Sequence, residues 1–491
     1  MRVMLARSSE AALGHRLWAW CAPGAVCATV VLAVASVAPV ASAVPDPPRL
    51  SYYVYVAAES DDEVSIVRYG PGGAEVVKTI TVGSFPAEVE GPHGLRVDPD
   101  GRHWYVSIAH GFPYGSVHKY ETQTDEWVGD VTLGLFPATL DVSPSTGLLY
   151  AVNFNLHGAL KPSSISVVEV ETMTEVARVD TGVRPHGGRL SLDGSVFYSV
   201  NMMDFELVEL DALGFQVRRR LPLGNGVMPT WVTRPTAEGK VYVTGNNVAK
   251  IFEVDLVSWR VQRTFETGPG PYNLELTPDG STLVATYKGG NAVGFWDLES
   301  GRERARTATS RTIPHGVAVT PDGEYAFVTL EGVGGDPGTV EVYYVSTGER
   351  VGAVDIGKQA GGIAFWKMEE GGPSAQSARA ALAGALDSQR HPVSTTEAER
   401  GDATSSPAPP HRVQQRRENP RAAGTDRVPQ GDGAAVHVDL LGVETQFSDD
   451  RDRLDRERLV QLKQVDVVER PADLRHQLLD RLDRSHQNPF R

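Results

Sequence analysis

Between Tyr52 and Lys367 apolar and polar residues alternate in short runs rich in Val, Ile, Tyr and Phe. A period of two puts one face of each run toward a core and the other toward solvent or a neighbouring layer, which predicts β-strands throughout. Turn signals cut the runs at regular spacing. "DPDG" (Asp98–Gly101), "SPSTG" (Ser143–Gly147) and "TPDG" (Thr277–Gly280, again Thr320–Gly323) carry a proline that presets φ and a glycine that accepts a positive φ. The whole pattern repeats from Pro92, Pro137, Pro185, Pro229, Pro271, Pro314 and Ala360, at intervals of 42 to 48 residues. That period is the size of one four-stranded propeller blade.

Each unit reads as a short first strand ("GLRV", "TLDV", "NLEL", "GVAV"), a second rich in Tyr and Val, a third, and a fourth that usually ends in glycine. The two ends of the region are incomplete in complementary ways. Tyr52–Gly83 supplies second, third and fourth strands, whereas Ala360–Lys367 supplies only a first. Joined, they form a seventh blade and leave no free sheet edge. The expectation is an all-β, seven-bladed β-propeller of four-stranded blades, its last blade closed by N- and C-terminal strands.

In such a blade the loop leading into strand one and the loop between strands two and three open on the same face, and the start of strand one lies nearest the axis. Read round the ring, that axial position is His93, Ala138, His186, Thr230, Tyr272, His315 and Gly361. The loops after strand two add Glu59, His110, His157, Met202, Met203, Asn246, Asn247, Tyr287, Lys288 and Glu331. Glu59, His93, His110, His157, His186, Tyr272, His315 and Glu331 are therefore expected to line one ligand funnel, with room beside His93 because its flanking blades contribute only Ala138 and Gly361. His93, His110, His186 and His315 are the candidate ligands for copper or another divalent metal, since several neutral imidazoles in one cavity suit such ions. A His in a Pro-His-Gly turn can equally satisfy a neighbouring backbone carbonyl. His103 and His118 fall away from this face and read as structural. Trp104, Trp127, Trp231, Trp259, Trp296 and Trp366 read as packing between blades.

Composition limits the partners. The chain carries 62 Asp plus Glu against 47 Lys plus Arg, a net −15, so nucleic acid is excluded as a partner. Its N-terminus has Arg2, Arg7 and Arg16, an apolar run from Leu17 to Val40 and an Ala41-Ser42-Ala43 site, the layout of a secretory signal peptide. The alternative is an uncleaved anchor, because the run is long enough to span a bilayer. Both cysteines, Cys21 and Cys27, lie inside this leader, so a secreted or periplasmic mature chain has no disulfide and no thiolate metal site. Expected boundaries are 1–43 signal peptide, 44–51 linker, 52–367 propeller and 368–491 disordered tail. The tail is rich in Ser, Pro, Ala and Gly, with short leucine-bearing stretches at helical spacing.

The second-strand motifs "YVSI", "YAVN", "YSVN" and "YVTG" resemble the YVTN-type β-propeller repeat family, within the superfamily of the nitrous-oxide reductase N-terminal propeller. The resemblance covers Tyr52 to Lys367. It implies the seven-bladed fold, and through nitrous-oxide reductase it implies a histidine-held copper site at the propeller mouth. Without mature cysteines the chain lacks a cupredoxin-type domain to deliver electrons. Three functions stay open: an exported binding or scaffold protein for a protein, peptide, glycan or small molecule, a copper-dependent oxidoreductase, and a lactonase-type hydrolase. No G-x-S-x-G, H-E-x-x-H or phosphate-cradling loop accompanies the ring.

Overall fold

The computed structural model describes residues 47–85, 87–110 and 115–370. The expected signal peptide and all but the first three residues of the expected tail lie outside the described residues; Met368, Glu369 and Glu370, expected in the tail, and Leu50 and Ser51, expected in the linker, instead pair in the closing sheet. Seven antiparallel sheets form the propeller, and the seventh joins Ala360–Glu370 to Leu50–Ala58, then Glu63–Gly70 and Gly73–Thr81. We number the blades from the sheet that begins at Pro92, so this composite sheet is blade 7. Six sheets have four strands; in blade 4 the inner run is reduced to a single bridge, Val232 with Val243, beside three full strands. Pro235 has no N–H to donate at the repeat position where Asp98, Ser143, Ser191, Thr277 and Thr320 bond to strand two in other blades, which explains the shortening. Two backbone bonds still hold it in place, from Thr244 N to the Trp231 carbonyl (3.1 Å) and from Thr233 N to the Tyr242 carbonyl (3.0 Å).

The turns behave as their composition requires. Gly101, Gly280 and Gly323 take φ of +72°, +70° and +74°, and each N–H closes its turn onto the carbonyl three residues earlier. Apolar clusters fill the spaces between blades. Trp104 stacks on Tyr120 with ring centroids 4.2 Å apart and on Tyr55 of blade 7 at 4.9 Å. Burial of such large faces is the main stabilising term between blades. Trp127 departs from the expected inter-blade packing, because it sits on an outermost strand and is 57% exposed.

One device recurs in all seven blades. The residue just before strand one (Gly91, Phe136, Arg184, Met228, Gly270, Ile313, Gln359) has a positive φ between 49° and 64°. Its carbonyl accepts a hydrogen bond from the residue just after strand two, which is Ala109, Phe154, Met202, Asn246, Lys288, Glu331 or Glu59 in the same order. Five of these left-handed residues are not glycine, a conformation that L-residues avoid unless the surroundings demand it. The clamp fastens the loop after strand two to the start of strand one, so side chains from both points meet at one end of the axis.

Candidate functional site

The histidines of the first strands stand in β-bulges. In blade 1 the pairing jumps from Pro92–Ile108 to Leu95–Val106, and equivalent jumps follow Pro185 and Pro314. Two residues face one there, which twists the strand and re-aims the side chain. A hydroxyl from strand two accepts the displaced N–H: Ser107 takes Gly94 N (2.7 Å) and Thr329 takes Gly316 N (2.8 Å). This gives a physical role to the Ser or Thr of the second-strand motif. The glycine after each histidine is a close approach, since a Cβ on Gly94, Gly187 or Gly316 would lie 2.6–2.7 Å from a carbonyl of the next blade.

Three buried imidazoles converge. The His93 ring centroid is 5.4 Å from that of His315 and 6.4 Å from that of His186. Tyr272 joins them, 4.7 Å from His315 and 5.4 Å from His186. His186 Nδ1 faces the Thr230 carbonyl at 2.9 Å, so that nitrogen carries the proton and Nε2 accepts from the Tyr272 hydroxyl, also at 2.9 Å. Burial, with His93 nearby, pushes the His186 imidazole down to about 3, and burial with Lys288 nearby holds His315 well below the ordinary histidine range. Both rings are neutral near pH 7.

Glu59 organises the rim. Its Oε2 lies 3.2 Å from His93 Nδ1 and its Oε1 lies 2.6 Å from His110 Nε2, while His110 Nδ1 meets His157 Nε2 at 2.9 Å. Burial alone would raise this carboxyl, but His93 and His110 outweigh it and hold Glu59 well below the usual carboxylate range. His157 is exposed, so the chain of contacts runs from solvent to the buried ring. Opposite it, Lys288 Nζ bonds Glu331 at 2.7 Å and sits 4.4 Å over the Tyr272 ring. Burial would weaken the ammonium, yet Glu331 and Tyr272 hold its pKa above the usual lysine value.

All eight candidate residues therefore lie in one connected cluster. The room expected beside His93 is filled, because the Glu59 carboxylate comes in over side-chain-free Gly361, to whose Cβ position both Glu59 Oε2 and His93 Nδ1 would be 3.8 Å. The apolar wall was not anticipated. Phe136 packs against His93 and His110 (each 5.0 Å) and His157 (5.7 Å), and Phe154 packs edge-on to His186 at 4.8 Å. Both phenylalanines sit at the clamp positions, a signal available in the repeat alignment. Met202 is buried in this wall, whereas Asn246 and Asn247 spend their amides on the carbonyls of Pro271 and Gly226. His103 pairs with Asp98 at 3.0 Å, and buried His118 has its pKa lowered by burial, in keeping with their structural reading.

The donor set does not fit a metal. Among the described residues no three His, Cys, Asp or Glu side chains are arranged to hold one. Glu59 already takes one nitrogen each from His93 and His110, and both His186 nitrogens are engaged.

A family model described as a YNCE-like β-propeller matches residues 157–385. The likeness to YVTN-type repeats thus holds. Antigen Lp49 of Leptospira interrogans is 25% identical over 244 residues, 44% of this chain, and the chain spans about half (50%) of that curated relative's length. Among solved structures, the Pseudomonas aeruginosa periplasmic gluconolactonase is 16% identical with a TM-score of 0.52, over 65% of this chain and 99% of that one. At that identity it shows the fold. No helix among the described residues is long and apolar enough to cross a membrane.

Proposed function

We propose that this propeller is an exported binding protein that takes a small polar ligand at the histidine cluster. The observation that carries the reading is the meeting of three imidazoles, two of them held neutral, with Tyr272 and the Lys288–Glu331 pair from separate blades. His93 Nε2 and the unpartnered His315 Nδ1 offer hydrogen-bonding nitrogens without the desolvation cost of a bare charge, and Phe136 and Phe154 supply an apolar face. That combination suits a hydroxyl-rich ligand such as a sugar, or a short peptide. The layout of residues 1–43 supports export, as does the periplasmic location of the Pseudomonas gluconolactonase.

Thermal shift against a panel of monosaccharides, disaccharides and dipeptides tests the reading, with a His93→Ala, His315→Ala double variant as control. The expected result is a saturable rise in Tm of several degrees for the wild type, absent from the double variant. No rise with any compound, or equal rises in both proteins, overturns it.

A hydrolytic reading is favoured by one contact. Glu59 orients His93 through Nδ1, which leaves Nε2 to take a proton from water, the geometry of a general base held by a carboxylate. Gluconolactone hydrolysis followed by pH-stat decides this second reading. Turnover that disappears in Glu59→Gln supports it, and no turnover above the uncatalysed rate ends it.

A further inference from the structure

Three residues along the inner strands from the axial positions, and four in blade 4, a second ring of side chains faces the axis. It consists of Arg96 in blade 1, Asp141 in blade 2, Arg189 in blade 3, Arg234 in blade 4 and Glu275 in blade 5. Three residues of extended chain cover about 10 Å, so this ring lies toward the other end of the axis. Its ion pairs prove the convergence. Arg234 reaches Asp141 at 3.2 Å, skipping blade 3, and Arg189 reaches Glu275 at 3.6 Å, skipping blade 4. Pairs between blades that are not neighbours can be made only across the centre. Arg96 meets the same Asp141 oxygen at 2.9 Å.

The charges do not balance. Three guanidinium groups face two carboxylates, which leaves one positive charge in a confined place on an otherwise acidic protein. Asp141 is fully buried and has little acceptor capacity left, since it also takes the backbone N–H of Leu190 (2.9 Å) and of Val142 (3.0 Å). Among the described residues it is the only protein acceptor for Arg96 and Arg234, although each guanidinium offers five N–H groups. The Arg189 guanidinium stacks 4.6 Å from the Trp231 ring centre.

A second observation points the same way. A cavity of about 30 Å³ separates the two rings, lined among others by His93, His315, Arg189, Trp231 and Asn273. Trp231 Nε1, which can only donate, is buried there without a protein partner. Buried polar atoms without partners mark a place built to receive something polar.

We propose that the arginine end of the axis is an anion site, in which Arg96, Arg189 and Arg234 hold a small oxyanion bearing phosphate or carboxylate groups. Asp141 and Glu275 balance two of the three guanidinium charges, and the anion supplies the missing negative charge. Guanidinium forks suit both oxyanions because two parallel N–H groups match two oxygens.

Isothermal titration of the full chain with sodium phosphate, and separately with sodium succinate, at constant ionic strength tests the assignment and distinguishes the two anion types. The expected result is one saturable site for at least one of them, weakened tenfold or more in Arg234→Gln and unchanged in Arg218→Gln, an outer-strand arginine paired with Asp211. Asp141→Asn removes the competing carboxylate and is expected to bind tenfold tighter. Absence of saturable heat with both anions overturns the proposal, and so does full affinity in Arg234→Gln. Unchanged or weaker binding in a folded Asp141→Asn protein does the same. Should Asp141→Asn fail to fold, the half-exposed Arg234 side chain still provides the decisive variant.

Discussion

The two ends of the inner strands solve one problem in two ways. Both crowd titratable side chains around a narrow axis. At the histidine end the groups can shed their charge, and His186 and His315 are pushed to neutrality. At the arginine end they cannot, because a guanidinium stays protonated at any ordinary pH. Burial draws the Arg96 guanidinium down to about 10, with Arg234 and Arg189 adding to the fall against Asp141, and it remains charged. Its burial must therefore be offset by Asp141, which the arginines hold below the usual carboxylate range against its own burial. Neutral rings tolerate crowding and keep ligand-binding atoms; fixed charges demand counter-charges from across the ring. The first end is tunable by pH and the second is not.

The largest effect that would test this contrast is Asp141→Ala. It leaves Arg96 and Arg234 without their carboxylate and should cost about 3–5 kcal/mol in urea unfolding. A cost below about 1 kcal/mol would erase the distinction between the ends.

The histidine end should show itself in acid. Because the folded His186 pKa lies below that of the unfolded chain, its contribution is intact above pH about 6.5 and declines as pH falls toward about 3. Glu59, also lowered in the folded state, adds an acid-side loss at lower pH, below the ordinary Glu range. His186→Gln should flatten the stability curve between pH 6.5 and the acid limit of the native fold, read by denaturation midpoints at several pH values. An unchanged slope would mean that His186 titrates normally.

Smaller still is Tyr272→Phe. It removes the hydroxyl donor to His186 Nε2 and should cost about 1–2 kcal/mol at pH 8. Smallest is Glu266→Ala, which breaks the solvent-exposed Lys250 pair on an outer strand and should move stability by less than about 0.5 kcal/mol. A larger loss there would show that surface pairs count for more than the axis argument allows.

Much of the fold was legible because its determinants are local. The Pro-Asp-Gly turns and the two-residue alternation mark each strand, and the missing first strand at Tyr52 together with the lone strand at Ala360 declares the closure. Blade 4 was less legible, since Pro235 thins its inner pairing without altering the repeat. Within the site, axial histidines could be placed by counting from each blade's start. The partner of His93 could not, because Glu59 arrives from the other end of the ring's seam and enters only where Gly361 lacks a side chain. Nor could the arginine ring. Arg96, Asp141, Arg189 and Glu275 share one repeat position, but alternate polar residues on strands ordinarily face water, and Arg234 comes one residue late in the thinned blade.

The seam itself sets an order of events. Leu50–Ala58 is made early, yet its hydrogen-bonding partner Ala360–Glu370 comes some three hundred residues later. Until that last strand docks, one edge of the first-made hairpin stays open, and Glu59, one residue beyond it, has no Gln359 carbonyl to receive its N–H. The carboxylate that orients His93 is therefore put in place only when the ring shuts. A chain truncated before Gln359 would keep six blades and the axial histidines but leave Glu59 unanchored, so an assay that depends on Glu59 doubles as a readout of ring closure.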